Sequence, residues 1–170
     1  MKRTVTALII AMGIAPVAAE PSSVPDITGT WEGKGFVQKD ENARKINVRC
    51  EIEGEQSVNQ VGFDGVCRAM LVMKREIGAW LTKSDNGFTG TYKGAEVGLA
   101  ELDGGPEVDG KIVLEMKFPK EVNGDDLATM TINLENSNVF TITTTDVMLN
   151  GEEITTSEVT FVREKDVAEN

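Results

Sequence analysis

The segment "KIVLEMKF", residues 111–118, alternates Ile112, Leu114, Met116 and Phe118 with Lys111, Val113, Glu115 and Lys117. Successive side chains of a strand point to opposite faces, so this pattern makes one dry face and one wet one. "TMTINL" repeats it, with Met130, Ile132 and Leu134 against Thr129, Thr131 and Asn133, and "VFTIT" sets Phe140 and Ile142 against Thr141 and Thr143. No stretch offers a convincing helical period. Turn dipeptides punctuate the runs: Asp64-Gly65, Asn86-Gly87, Asp109-Gly110, Asn123-Gly124 and Asn150-Gly151, and such pairs supply the positive φ that tight hairpins need. About 8–10 strands are expected, among them separate runs near 70–75, 77–83 and 95–101. Asp64-Gly65 lies inside a strand-like run and marks a candidate bulge. Short strands in hairpin succession with one apolar face imply an all-β fold, an antiparallel up-and-down β-barrel occupying residues 29–165.

What precedes the barrel is of a different kind. "MKRTVTALIIAMGIAPVAAEP" has Lys2 and Arg3 ahead of an apolar run from Val5 to Ile14 and small residues at Val17-Ala18-Ala19. This is the pattern of a signal peptide, residues 1–19, cleaved after Ala19. The run is too short for a membrane span, which needs about 20 apolar residues, and Pro16 interrupts it. Residues 20–28 then form an extended N-terminal tail and 166–170 a flexible C-terminal one. About 150 residues remain after cleavage, one domain able to bury a core without metal or a disulfide lattice. The expected location is periplasmic or secreted. Cys50 and Cys67 are the sole cysteines; export favours their pairing, and they fall on strand-like runs joined by a turn near Gly54, where facing positions lie within a disulfide's reach.

The formal charge of −11 grows by two negative units on loss of Lys2 and Arg3. A surface that acidic repels phosphate backbones and anionic headgroups, which excludes sequence-independent nucleic-acid binding. There is no histidine, so the usual general base, the usual zinc or haem ligand and every histidine-based triad are missing. The sequence has no G-x-S-x-G. Asp125-Asp126, Glu152-Glu153 and Glu51/Glu53 sit at turns or on polar strand faces, and "DGGPEVDG", residues 103–110, lacks the alternating oxygen ligands of a calcium loop. No catalytic, metal or cofactor site is assigned, and the expectation is a protein that is not an enzyme and carries no cofactor.

In "DITGTWEGKG", Gly29, Trp31, Gly33 and Gly35 share one strand face. The indole therefore turns inward with the glycines, where it covers apolar area and needs an acceptor for its N–H. Arg163 follows Val159 and Phe161 in phase at the other end of the chain, so a guanidinium stacked on the indole closes the barrel. This G-x-W on the first strand with an arginine on the last resembles the calycin superfamily of lipocalins, fatty-acid-binding proteins, nitrobindin-like barrels and bacterial metalloprotease inhibitors. The resemblance implies a barrel plugged at one end by Trp31 and Arg163; absence of histidine argues against its haem-binding branch. "ITGTWEG" at 27–33 has an echo in "FTGTYKG" at 88–94, read as two coiled strands meeting the same demand for glycine.

Three functional readings follow. A small apolar ligand could occupy the interior, lined by Met116, Phe118, Met130, Ile132, Phe140, Ile142 and Phe161; methionine suits such cavities but also fills cores. The chain is also similar to the metalloprotease inhibitors, whose tail enters a protease cleft, and Ser22, Ser23 and Val24 are the corresponding tail residues here, although Glu20 and Pro21 would precede them. The third reading is a cell-envelope interaction protein working through its exterior.

Overall fold

A computed structural model describes residues 24–70 and 72–165; the expected signal peptide, Ser22, Ser23 and the C-terminal tail lie outside them. Ten strands follow one another along the chain: β1 Gly29–Val37, β2 Ile46–Gln56, β3 Gln60–Ala69, β4 Met73–Ser84, β5 Gly87–Lys93, β6 Ala100–Gly104, β7 Lys111–Val122, β8 Asp125–Asn136, β9 Val139–Val147 and β10 Glu153–Arg163. Each pairs antiparallel with its neighbour, and β10 pairs with β1 to close the barrel. No helix occurs among the described residues.

The alternation seen in the sequence sets the inner face. In β2, Val48, Cys50 and Ile52 are buried while Asn47, Arg49, Glu51 and Glu53 are exposed. In β7, Ile112, Leu114, Met116 and Phe118 are buried. Asn123-Gly124 joins β7 to β8 with φ of 57° and 123° and Val122 opposite Asp125, which is the two-residue hairpin that such pairs favour. In β1, a methyl group on Gly33 would sit 2.6 Å from the Phe161 ring, so glycine there makes room for an aromatic on β10.

Some local expectations differ from what is observed. The runs near 70–75 and 77–83 are one strand, β4, because its pairing with β3 continues without interruption from Ala69↔Met73 to Gln60↔Thr82. Asp64-Gly65 makes no bulge: Asp64 and Gly65 keep register with Glu53 and Ile52 on one side and with Gly78 and Ile77 on the other. Register shifts fall instead between Lys117 and Val122, Leu134 and Asn136, and Thr155 and Ser157. The run near 95–101 moves to Ala100–Gly104, behind an irregular segment containing Gly98 at φ 120°.

Cys50 and Cys67 are direct register partners and are disulfide-bonded. They tie β2 to β3 with a sequence separation of 17, and closing a loop of that size stabilises a fold by about 3 kcal/mol. Replacing both with serine should lower the unfolding free energy by about that amount in urea titrations, and dithiothreitol should destabilise the natural chain but not the variant.

Candidate functional site

Up-and-down topology gives the barrel two unlike ends. One gathers the start of β1, the end of β10 and the β2–β3, β4–β5, β6–β7 and β8–β9 connections. Here Trp31 is 1% exposed and donates from Nε1 to the Ile27 carbonyl at 2.8 Å. The Arg163 guanidinium lies over the indole, 4.3 Å from its centroid. Its nitrogens donate to the carbonyls of Asp26 at 2.9 Å, of Ser137 at 3.1 Å and of Thr28. Phe140 meets the indole edge-on at 4.8 Å and stacks with Phe161 at 4.9 Å. Sequence periodicity placed Trp31 and Arg163 on inward faces; the acceptor carbonyls carry no side-chain signal and come from segments far apart in the chain.

The segment before β1 belongs to this plug. Val24 is 4% exposed, its carbonyl accepts from Gln56 Nε2 at 3.4 Å, and Ile27 is buried. Val24 at the end of the tail is thus packed against the barrel: an apolar side chain beside an open barrel end gains from burial.

The interior is almost full. Met116, Met130 and Phe161 are at most 1% exposed, and Phe118 is buried at the far end. Ile132, Phe140 and Ile142 line an apolar cavity near the Trp31 end, with Pro25, Phe63 and Leu81 among the other walls. Its volume is about 30 Å³, where pockets for drug-sized ligands occupy about 300–1,000 Å³. The methionines fill the core.

The far end is more polar. Asp146 lies on the inward phase of β9 with Phe140, Ile142 and Thr144, a periodicity readable in "VFTITTTDV" that the sequence analysis left unused. It is 4% exposed; Oδ2 accepts from Asn123 Nδ2 at 2.8 Å, while Oδ1 has no partner among the described residues. Burial pushes its pKa above the ordinary 3.8, against the Asn123 hydrogen bond and with added repulsion from Asp125. Arg75 is on the same phase as Cys67 and Tyr92 and is held outward at the rim by Glu96 at 2.7 Å and the Gly94 carbonyl at 3.4 Å. Burial raises the Tyr92 phenol, with Arg75 pulling the other way. Neither Asp146 nor Arg75 was singled out from sequence, because a charge near a strand end reads as solvated.

No family model and no curated protein matches this chain. Several solved structures share its fold. The S-type phycobiliprotein lyase CPES from Guillardia theta superposes with a TM-score of 0.58 at 14% identity, over 82% of this chain and 89% of that one. Rv2717c from M. tuberculosis gives 0.59 at 11% identity, over 82% and 93%. The fold is a calycin-like, lipocalin-type barrel. The first neighbour also overturns the expectation that the chain is not an enzyme: a barrel of this shape belongs to a protein named as a lyase, so the lack of a histidine-based site does not remove catalysis from its repertoire.

Three predictions concern the ends. Arg163→Lys should lower stability by about 2 kcal/mol in urea unfolding, since lysine keeps the charge but loses the planar fork that serves several carbonyls; Trp31→Ala should cost about 3–5 kcal/mol. Folded Asp146 takes up its proton at a higher pH than unfolded Asp146, so its contribution to stability rises as pH falls through the folded pKa and levels off below 3.8. Asp146→Asn should therefore be more stable than the natural chain at pH 7, with the difference shrinking towards pH 4 in thermal melts.

Proposed function

We propose that the chain is exported through its N-terminal signal peptide and works in the cell envelope through the outer surface of a filled, calycin-like barrel. The observation that carries this is the interior: the side chains along the barrel axis are almost fully buried, and the apolar cavity near the Trp31 end is about 30 Å³, room for little more than water. A disulfide between Cys50 and Cys67 supports an oxidising compartment, because cytosolic thiols are kept reduced. The fold leaves surface action free to differ from one such barrel to another.

A second reading, carriage of a small apolar ligand, is favoured by the wholly apolar lining of that cavity and by the methionines behind it, whose unbranched side chains re-pack more readily than leucine. Tail-mediated protease inhibition has less support, because Val24 is committed to the plug. Native mass spectrometry of the protein purified from the envelope fraction separates the first two. The bare mature chain, shortened by residues 1–19, is expected. A stoichiometric adduct lost on denaturation would transfer the function to the interior, and an uncleaved chain recovered from the cytoplasm would remove the envelope assignment.

A further inference from the structure

On the outer face of β1–β4 four cations stand in cross-strand register: Lys34 opposite Arg49, Arg49 opposite Arg68, and Arg68 opposite Lys74. Like charges facing each other across strands destabilise a sheet, and in a chain with a charge of −11 such a row does not arise from composition alone. Internal pairing relieves it only in part. Arg68 pairs with Glu51 at 3.1 Å. Lys34 and Arg49 make no hydrogen bond or ion pair among the described residues, and Lys74 has only a longer-range attraction to Glu76.

The row ends one residue pair short of the β3–β4 hairpin tip, where Met70, Val72 and Met73 are 58%, 89% and 50% exposed. Lys34, Arg49, Glu51, Arg68 and Met70 are among the residues lining one surface depression of about 580 Å³, so Met70 of the tip adjoins the cations, with the Glu51 partner of Arg68 among them. With strands about 4.8 Å apart the row is about 14 Å long. Acidic Asp125, Asp126, Glu152 and Glu153 are also at this end of the barrel but belong to the β7–β8 and β9–β10 connections, across the barrel from β3. On the same outer face Glu32, Glu51 and Glu76 stand two residues further from the tip, so the basic character is confined to the tip-side end of the β1–β4 wall, where the row of cations lies.

We propose that this corner of the barrel docks on an anionic lipid bilayer, with Lys34, Arg49, Arg68 and Lys74 against the phosphates and Met70, Val72 and Met73 entering the headgroup–acyl boundary. Exposed apolar side chains beside a basic stripe are the arrangement by which peripheral proteins lie on membranes. A plane of headgroups answers a straight row of cations without a fixed register, whereas an acidic protein partner leaves the apolar tip without a role. The acidic far wall orients the docking by turning away from the same surface. The overall charge read from the sequence implies repulsion of anionic headgroups; segregation of the charges reverses that for the tip-side end of this one face. The proposal rests on the reading of an envelope protein that acts through its exterior.

Sedimentation of the purified mature protein with phosphatidylcholine vesicles, and with vesicles containing phosphatidylglycerol in equal part, tests it. Binding is expected only to the anionic vesicles and should weaken with added salt. Lys34→Ala and Arg49→Ala, both at exposed positions, should each weaken it about fivefold. Val72→Asp should weaken it as well, and circular dichroism and thermal melts identify any variant that has lost its fold, for which Lys74→Ala is the substitute. No binding to anionic vesicles, or variants that bind like the natural chain, would overturn the docking while leaving the envelope reading intact. Capture by polyglutamate in place of vesicles, with the same dependence on Lys34 and Arg49, would overturn it in favour of an acidic protein partner. Cytoplasmic retention of the chain would instead remove the envelope reading, whatever the vesicles show.

Discussion

The pairing of the first strand with the last is the constraint on which everything else in this barrel depends. Ten strands laid down as hairpins make a sheet with two raw edges, each a template for pairing with another chain. Closure of β1 on β10, from Trp31↔Arg163 to Val37↔Ser157, removes both edges at once. The contact also spans most of the chain, so it carries the largest loop-closure entropy in the fold and contributes nothing until nearly all other strands are in place. The Trp31–Arg163 stack and the carbonyls that receive the guanidinium are concentrated at this seam.

A filled interior follows from how that seam is packed. Glycine at 33 lets Phe161 approach, Phe161 stacks on Phe140, and Phe140 abuts the indole. The aromatic chain extends the plug into the barrel, and Met116 and Met130 occupy what is left. The proposed site of action is accordingly the outside of the barrel. The two ends are chemically different: one is sealed by main-chain acceptors, the other carries buried Asp146, the Arg75–Glu96 pair and an apolar hairpin tip.

Outside the barrel, register does what composition conceals. Lys34, Arg49, Arg68 and Lys74 are far from adjacent in sequence, yet pairing through three hairpins and the resulting alternation aligns them on one wall. Net charge averages over the whole molecule, whereas a bilayer meets one face, and within a Debye length the local sign decides the interaction.

The sequence by itself determined the fold class, the inward phase of most of the core and the positions of Trp31 and Arg163, because period-two alternation and turn dipeptides are local properties of a strand and its hairpins. It also brought Cys50 and Cys67 to neighbouring strands. Tertiary structure alone decided the volume left inside, the packing of Val24 against the plug, the unbroken pairing at Asp64-Gly65 and the row of cations on β1–β4. Each of these depends on distances between segments remote in the chain. Alternation states which way a side chain points, and only the register and curvature of the closed sheet fix what it meets there.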